Sequence, residues 1–493
     1  MKKARNGESG RRFPAEKIET DGLENRRGKR NRNCGGEARW WSGIVTEDGK
    51  LAEGSEIVGT ERFTRKENRE GLPKIRRKTM KEYDVAVIGG GPAGMAAAAE
   101  AAKNGAETLV IERDGRQGGI LNQCIHNGFG LHLFGEELTG PEFAQRFIDE
   151  VAASGAKVMT GAFVVEIRED KTLVTVSPSG GVEEIKAKAV VLAMGARERS
   201  AGAIGLTGSR PDGIWTAGLA QRLCNVEGML VGKKIVILGS GDIGLIMARR
   251  MTCEGAEVRM VCEIMPYSGG LKRNIVQCLD DFGIPLLLST TVTRVVGKKR
   301  VEGVYIADIK DGKPLPETER FVECDTLLLS VGLIPETDLL SGSGIETDRA
   351  TGSFVVNEFR ETSLPGIFAC GNVLHIHDLV DNVADEGFRA GRSAADYALR
   401  GRESEPRNIP VKAGKGIKYV LPQRIDGEKG KATIYFRTDN VYARPTITVR
   451  CGEKVVAAQK KAVTAPGEMQ SVAVDTAKID GEVVVEITAG EKR

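Results

Sequence analysis

The most constraining feature of the sequence is a strand–glycine–helix–strand–acid pattern that occurs twice. The first copy covers residues 84–114 and the second covers residues 234–263. Each copy opens with a short apolar run typical of a buried parallel strand and continues into a G-x-G-x-x-G turn. The glycines fall in the same register in both copies: Gly89, Gly91 and Gly94 in the first, and Gly239, Gly241 and Gly244 in the second.

The repeated pattern predicts two nucleotide-binding turns. In such a turn the first glycine allows a tight bend, the second lets the backbone approach a diphosphate, and the third lets the helix pack on the strand. The N-terminus of the following helix offers free N–H groups to the phosphates. An acid, Glu112 or Glu263, ends the second strand of each copy, where it would accept hydrogen bonds from ribose hydroxyls. The sequence therefore predicts an α/β fold with two Rossmann-like dinucleotide-binding domains.

The residues around Glu263 bear on which nicotinamide dinucleotide is bound. A carboxylate at this position repels the 2′-phosphate of NADP. The four residues that follow Glu263 include no arginine that could neutralise such a phosphate. We therefore expect NAD in the second turn.

Composition excludes several functional classes. The sequence contains no apolar run long enough for a transmembrane helix. None of the nine cysteines forms a C-x-x-C pair, which argues against structural zinc, an iron–sulfur cluster and a thioredoxin-type dithiol, so no metal is predicted. Scattered cysteines without a secretory signal favour a cytoplasmic protein. Acidic residues outnumber basic ones after residue 79, so nucleic-acid binding by the folded part is not expected.

Changes in composition divide the chain into five segments. Residues 1–79 lack periodicity and are expected to be a disordered or non-native extension, with a basic tail that docks a partner as the alternative. Residues 80–229 and 332–402 are predicted to form the two parts of the first dinucleotide-binding domain. The second domain, residues 230–331, is inserted between them. Residues 403–493 contain short β-rich runs separated by Gly, Pro and Asp, which predict a small C-terminal all-β domain.

The order of these segments resembles the pyridine nucleotide–disulfide oxidoreductase superfamily of flavoproteins. The resemblance covers about residues 80–400 and rests on the two turns, on Ala193-Met194-Gly195 and on residues 366–372. It implies FAD in the first turn and NAD in the second. The residues implied to bind FAD are Gly89, Gly91, Gly94, Glu112, Gly118, Gly119, Gly195, Gly371 and Asn372, and those implied to bind NAD are Gly239, Gly241, Gly244 and Glu263. Asn372 departs from the superfamily's aspartate and can accept a hydrogen bond only through an uncharged carbonyl.

Residues 118–132 and 371–387 resemble a narrower group. These are the FAD/NAD oxidoreductase subunits that accompany bacterial anaerobic glycerol-3-phosphate dehydrogenase-like proteins. The resemblance implies an electron-transfer subunit with a partner dehydrogenase subunit, or another protein or small-molecule electron acceptor. It also implies that a helix beginning near Asn382 points its positive end at the flavin. The C-terminal all-β domain would replace the dimerisation domain of the disulfide reductases.

Three side chains in these segments are candidates for catalysis: Cys124, His126 and His377. His126, and after it His377, would transfer a proton at flavin N5 or at the acceptor, with a structural role for either histidine as the alternative. Cys124 would be a nucleophile, a charge-transfer thiolate or a small packed residue. It lies in a glycine-rich stretch, residues 115–130, that we expect to be a loop. Disulfide reductases of the superfamily carry two active-site cysteines, and the single Cys124 disfavours their usual cycle.

These observations predict an FAD-dependent NAD(H):acceptor oxidoreductase. A hydride would pass between the nicotinamide and flavin N5 at the contact between the two domains. One alternative is a single-cysteine disulfide, persulfide or peroxide reductase that uses Cys124. An alternative of another class is a non-catalytic assembly subunit in which FAD is structural.

Overall fold

The computed structural model describes residues 80–401, 405–427 and 430–492, and the predicted extension at residues 1–79 lies outside them. Six α-helices lie within the described residues. Each of the two glycine turns leads directly into one of them, as the repeated pattern predicts. The helices are α1 (Pro92–Lys103), α2 (Gly140–Ser154), α3 (Ala217–Asn225), α4 (Asp242–Cys253), α5 (Lys272–Cys278) and α6 (Val380–Arg400).

The first glycine turn extends from the middle of a seven-stranded sheet. The strand before the turn pairs in parallel with a strand on each side, as βαβ connections require. Its last four residues are buried on both faces, which explains their unbroken apolar character. The strands run in the order Lys157–Met159, Thr108–Ile111, Lys81–Ile88, Gly181–Leu192, Thr172–Ser177 and Phe163–Ile167, with Ile367–Ala369 also paired to Gly181–Leu192.

The second glycine turn extends from a separate five-stranded parallel sheet. This sheet is formed by residues that fall between two strands of the first sheet in sequence, so the second fold is an insertion in the first. Its strands run in the order Ile214–Thr216, Thr326–Leu329, Lys234–Leu238, Glu257–Cys262 and Leu286–Leu287. A second sheet packs beside it and contains Thr207–Gly208, Thr290–Gly297, Val301–Lys310, Lys313–Pro314 and Arg320–Glu323.

Two short strands join the first fold to the inserted one. Ala196–Glu198 leaves the first sheet and pairs in antiparallel fashion with Leu333–Pro335, which returns to it. Arg197 also lies 3.1 Å from the carboxylate of Asp338 on the returning segment. The chain therefore crosses between the two folds through a paired, hydrogen-bonded connection.

The described residues between 409 and 492, which we call the C-terminal module, form β-strands and one short 3₁₀ helix. Alternating residues of Lys431–Thr438 are buried, as expected for a strand with one face on a core. Both sheets of the module contribute to that core. One sheet contains Arg424–Ile425, Ile409–Ala413, Val483–Lys492, Tyr442–Cys451, Lys454–Lys460 and Val463–Thr464, and the other contains Ile417–Leu421, Lys431–Thr438 and Gln470–Asp475.

Helix α6 packs closely on α1 because two of its residues have no side chain. A Cβ atom at Gly387 or at Gly391 would lie closer than 3.0 Å to a backbone oxygen of α1. Ala390 and Ala394 are fully buried on the same helix. The close approach brings the start of α6 beside the first glycine turn.

Two local expectations differ from the structure. Helix α6 begins at Val380, two residues before the expected start near Asn382. The stretch 115–130 is not wholly a loop, because it contains a 3₁₀ helix, Gly119–Gln123, and a short strand, Asn127–Phe129. Leu121 and Gln123 are buried and hold the 3₁₀ helix in place, and no sequence periodicity reports so short an element.

The α1–α6 contact generates a stability prediction. Gly391→Ala would favour an isolated helix by about 1 kcal/mol. Here we expect it to lower the melting temperature, because the new Cβ would meet the backbone of Ala97 and overpacking costs about 1–3 kcal/mol. Ser393→Ala, a half-buried position on the same helix, is the matched control and should change stability little. An increase in melting temperature for Gly391→Ala would contradict the packing described.

Candidate dinucleotide and electron-transfer site

The first glycine turn has the shape that a diphosphate requires. Gly89 has a left-handed φ of 106°, and a Cβ there would lie closer than 3.0 Å to the carbonyl oxygen of Ala193. A Cβ at Gly94 would similarly meet the carbonyl oxygen of Gly89. A Cβ at Gly91 would meet no atom within 4 Å. The outer glycines therefore serve the packing of the chain, and the middle one faces open space at the N-terminus of α1, where the diphosphate of a dinucleotide would fit.

The second turn repeats this construction with Ser330 in the place of Ala193. Gly239 has a φ of 98°, and a Cβ there would meet the carbonyl oxygen of Ser330. A Cβ at Gly244 would lie 2.7 Å from the carbonyl oxygen of Gly239. The Ser330 hydroxyl accepts a hydrogen bond from the Gly244 N–H at 3.1 Å and lies near Gly241. The second turn therefore also fits a dinucleotide.

Glu112 and Glu263, the acids that end the second strand of each repeat, both form hydrogen bonds to the glycine turn of their own repeat. Glu112 is buried, and its two carboxylate oxygens accept hydrogen bonds from the N–H groups of Gly90 at 2.6 Å and Asp114 at 2.7 Å. Glu263 accepts from the N–H and hydroxyl of Ser240 at 2.9 and 2.6 Å and from the N–H of Met265 at 3.0 Å. Both oxygens of Glu112 and Oε1 of Glu263 keep a further lone pair, whereas Oε2 of Glu263 already accepts two bonds. The expected bond to a ribose hydroxyl stays a prediction, and the bonds to the turn were not foreseen from the sequence.

The predicted pair Gly118 and Gly119 closes over the first turn. The N–H of Gly118 donates to the carbonyl oxygen of Gly90 at 2.8 Å. A Cβ at Gly119 would lie 3.0 Å from the Cα of Gly91. This pair therefore borders the space that faces Gly91.

A second glycine pair, Gly269 and Gly270, closes over the second turn and was missed in the sequence. The N–H of Gly269 donates to the hydroxyl of Ser240 at 2.9 Å, and a Cβ at Gly270 would lie 2.9 Å from Asp242 Oδ1. The signal was present, because each glycine pair begins six residues after its acid, Glu112 or Glu263. The internal repeat is therefore longer than the glycine turns alone indicate.

The predicted second flavin motif lies beside the first turn. A Cβ at Gly371, whose φ is 77°, would lie 2.7 Å from the Cβ of Ala93 in the first turn of α1. The side-chain oxygen of Asn372 accepts a hydrogen bond from the N–H of His377 at 3.1 Å. Gly195 lies farther along, where the chain leaves the first sheet, and its carbonyl oxygen accepts from the N–H of Glu336 at 3.0 Å. The structure thus places Gly371 and Asn372 beside the first glycine turn. Gly195 lies where the chain passes from the first fold to the inserted fold.

Cys124 lies at the end of the 3₁₀ helix and contacts the second fold. Its sulfur is 3.3 Å from the carbonyl oxygen of Ile120 and 3.6 Å from Oε1 of Gln221 on α3. Burial raises the pKa of the Cys124 thiol to about 12. The thiol therefore keeps its proton at neutral pH in this arrangement, whereas a nucleophilic cysteine must be a thiolate.

His126 faces the second fold and is uncharged at neutral pH. Its ring centroid lies 5.0 Å from that of Phe129. Burial, with smaller contributions from the charges of Arg273 and Arg249, lowers the pKa of His126 to about 4. Its neutral ring can therefore accept or donate a hydrogen bond, but it takes up a proton only weakly, which weighs against a role as a general base. His132, in the same segment, is exposed.

His377 belongs to a buried cluster whose other charged members were missed in the sequence. Glu386 of α6 accepts a hydrogen bond from Arg360 Nε at 2.8 Å and from the Gly371 N–H at 2.8 Å, and it lies 3.1 Å from His377 Nε2. Arg360 and Glu386 are almost completely buried. Charged side chains are rarely buried unless they are paired. The only sequence signal for Glu386 was its place among the small residues on the packed face of α6.

The ligand atoms of His375, His377 and Glu386 lie within 4.8 Å of one another. The guanidinium of Arg360 bonds the same carboxylate, so a divalent cation there would face a fixed positive charge. The expectation that the chain holds no metal stays a prediction.

The C-terminal module contacts the border loops of both turns. Arg437 donates to the carbonyl oxygen of Ile376 at 2.9 Å and forms an ion pair with Asp378, which also accepts from the N–H of Met469 at 2.6 Å. A Cβ at Gly467 would lie 2.6 Å from the carbonyl oxygen of Gly269. The module therefore lies against the loop after Asn372 and against the glycine pair of the second turn.

Comparison with known proteins identifies the family. Residues 83–387 match the pyridine nucleotide-disulphide oxidoreductase family. The chain belongs to this family. It is similar to a thioredoxin reductase from Listeria monocytogenes, 28% identical over 332 residues that cover 66% of this chain and 96% of the relative. It is also similar to one of the subunits of opine oxidase from Agrobacterium tumefaciens, 28% identical over 320 residues that cover 59% of this chain and 61% of the relative.

Among solved structures, thioredoxin reductase from T. acidophilum superposes with a TM-score of 0.54 at 26% identity, over 65% of this chain and 99% of that chain. The protein is thus an FAD-dependent pyridine nucleotide oxidoreductase, and its cofactors are FAD and a nicotinamide dinucleotide. Its fold is the mixed α/β fold with two Rossmann-like units. Within the described residues, no helix is both long enough and apolar enough to cross a membrane.

The different surroundings of Gly91 and Gly94 predict that substitution of Gly91 reduces flavin binding, whereas substitution of Gly94 reduces stability. Gly91→Val should leave the melting temperature of the flavin-free protein nearly unchanged but reduce the flavin that copurifies, because the side chain fills the space that faces the diphosphate. Gly94→Val should lower the melting temperature itself, because its Cβ meets the backbone of Gly89. The measurements are the flavin absorbance per protein and thermal unfolding of the flavin-free form. If Gly91→Val copurifies with the normal amount of flavin, the diphosphate of FAD does not bind in the space that faces Gly91.

The lowered pKa of His126 predicts a pH-dependent stability. The ordinary histidine pKa is 6.5, and in the folded protein it is about 4. Between these pH values the unfolded chain binds a proton that the folded one does not, so stability is lost as the pH falls from 6.5 toward 4. The melting temperature of His126→Gln should therefore fall less than that of the wild type between pH 7 and pH 5. His132→Gln, at an exposed position, is the control and should follow the wild type. An equal fall in all three proteins would be inconsistent with a half-buried His126 whose pKa is lowered.

Proposed function

We propose that this protein transfers electrons between NAD(H) and an acceptor that is not a disulfide, as a flavoprotein subunit of a multi-subunit dehydrogenase. The observation that carries the proposal is that one chain holds two turns of the same construction, while the segment that borders the first turn, residues 118–130, contains one cysteine, Cys124. Two dinucleotide sites supply a route for electrons through FAD. The missing second cysteine removes the usual route from FAD to a disulfide.

In the proposed mechanism FAD supplies the redox chemistry, and the residues of the protein bind and orient it. FAD bound at the first turn would supply the chemistry, exchanging a hydride with the nicotinamide ring at N5. The chain's own residues bind and orient: Gly91 and the N-terminus of α1 hold the diphosphate, and Gly371 with Asn372 borders the rest of the flavin. We assign the first sheet and α6 to the FAD-binding domain, the inserted fold from Thr207 to Leu329 to the NAD-binding domain, and the C-terminal module to a third domain. The predicted boundary at residues 229 and 230 is too late, because Ile214–Thr216 already pairs with Thr326–Leu329 in the parallel sheet of the inserted fold and α3 shares its core.

The preference for NAD rests on Glu263. Its carboxylate is fixed by three hydrogen bonds to Ser240 and Met265, so it does not readily move away from a ribose 2′ substituent. A fixed negative charge there repels the 2′-phosphate of NADP. We therefore propose that NADH binds more tightly than NADPH.

A partner subunit is favoured by the similarity to the opine oxidase protein, whose name marks that relative as one part of an assembly. The glycerol-3-phosphate dehydrogenase-like partner suggested by residues 118–132 and 371–387 belongs to the same proposal, as does a cytoplasmic location. The thioredoxin reductase names of other relatives favour the alternative, a single-cysteine reductase that uses Cys124. The pKa of Cys124, about 12, weighs against that alternative.

Anaerobic titration of the purified protein separates these functions. We expect NADH to bleach the flavin absorbance at low concentration, and NADPH to require about tenfold more or greater. Cys124→Ser should retain both flavin reduction and NADH-dependent reduction of an artificial acceptor. Retained flavin reduction with loss of acceptor reduction in Cys124→Ser would favour the single-cysteine reductase. A bound flavin that NADH cannot bleach would favour the assembly subunit.

A further inference from the structure

The buried cluster around Glu386 connects three parts of the chain at the side of the flavin site. Arg360 precedes the strand Ile367–Ala369, His375 and His377 follow it, and Glu386 lies on α6. Glu386 is 1% exposed and Arg360 is fully buried. An ion pair this deeply buried is a weak source of stability, because desolvation of both charges offsets their attraction. Its position therefore calls for an explanation other than stability.

One side of the cluster reaches the residues that border the flavin. Oε2 of Glu386 accepts the N–H of Gly371 at 2.8 Å and lies 3.1 Å from His377 Nε2. The N–H of His377 in turn donates to the side-chain oxygen of Asn372 at 3.1 Å. Gly371 packs on Ala93 at the start of α1, beside the first glycine turn. The carboxylate thus fixes the backbone at Gly371 directly and the side chain of Asn372 through His377.

The other side of the cluster is covered by the C-terminal module. The ring of His375 lies 6.1 Å from that of Tyr419 and 5.9 Å from that of Tyr435. The guanidinium of Arg360 lies 5.7 Å from the centroid of Tyr435. The module is held there by the ion pair of Arg437 with Asp378. Both tyrosine rings belong to strands of its smaller sheet, so the module itself keeps water from the ion pair.

The cluster is also incompletely satisfied by the described residues. Both terminal nitrogens of Arg360 and Nδ1 of His375 and of His377 have no hydrogen-bond partner there, and Nε2 of His375 makes only a long contact with Glu386, at 3.5 Å. Burial would raise the pKa of Glu386, but Arg360 and the two histidines hold that pKa well below its usual range. The cluster therefore keeps a charged carboxylate in a dry environment at the cost of unpaired donors, which is common at functional sites and uncommon in a core that serves packing alone.

We propose that Glu386 is a positioning residue for FAD, which acts with Arg360 and His377 to fix Gly371 and Asn372 against the flavin, beneath a cover supplied by the C-terminal module. The inference rests on FAD binding at the first turn and is independent of the acceptor. Loss of the carboxylate would release the Gly371 N–H and, through His377, the Asn372 side chain. FAD would then bind more weakly and in a changed environment.

The test separates positioning from a structural role by removing both charges together. Glu386→Gln alone leaves Arg360 buried without its partner, so it should lower the melting temperature of the flavin-free protein. Arg360→Met/Glu386→Gln should recover most of that loss. We expect this double variant still to bind FAD about tenfold more weakly or worse, the scale for loss of a charge-assisted hydrogen bond that orders a site. Its flavin should also have a shifted reduction potential.

The matched control is Arg392→Met/Glu100→Gln, which removes the ion pair that joins α6 to α1 at an exposed position. This control should leave FAD affinity and reduction potential unchanged. The three readouts are thermal unfolding without flavin, FAD affinity from titration of the flavin-free protein, and the potential by equilibration with redox dyes.

If the cluster double variant binds FAD as tightly as the control variant, at the wild-type potential, the cluster is structural and the proposal is wrong. If the double variant does not fold, His377→Asn provides the second arm, because it removes the contact with Glu386 and leaves the Arg360–Glu386 ion pair in place. Weaker FAD binding by His377→Asn supports positioning, and unchanged affinity and potential overturn it. A folded wild-type protein that takes up no FAD would instead overturn the flavin assignment on which the function rests.

Discussion

The structure depends on two contacts that only glycine permits, Gly89 against Ala193 and Gly239 against Ser330. In each, a left-handed residue at the end of a central strand lies against the end of the neighbouring strand, where a side chain would collide with a backbone oxygen. The helix that follows can then begin at the strand end, with its N–H groups facing open space. Because both contacts occur in one chain, its two dinucleotide-binding turns depend on the same close packing of a glycine against a backbone oxygen.

The loops beside the two glycine turns are fixed by side chains from elsewhere in the chain. The loop after Asn372 contacts Glu386 of α6 through His377, and it contacts Arg437 of the C-terminal module through the carbonyl oxygen of Ile376. The glycine pair over the second turn also meets the module, at Gly467. The module therefore contacts the border of each cradle, although the family match ends at residue 387. A change in the module can thus reach both cofactor sites through short, direct contacts.

Much of the fold could be predicted because its signals are local. The turns at Gly89 and Gly239 follow from glycine spacing and strand burial, and the insertion of the second fold follows from the order of the segments. The roles of Glu112 and Glu263 in holding their own turns could not be predicted, because they depend on distances across a loop. Arg360 and Glu386 are 26 residues apart in the sequence and meet only through tertiary packing. The protonated state of Cys124 likewise depends on burial that no motif reports.

The central claim is that the two cradles bring a nicotinamide ring against the flavin for direct transfer. The most direct measurement is the single-turnover rate of flavin bleaching under anaerobic conditions, with NADH deuterated on one or the other face of nicotinamide C4. The account predicts bleaching that is slowed by deuterium on one face only. Bleaching at the same rate with both labels and with unlabelled NADH, or no bleaching of a bound flavin, would contradict it.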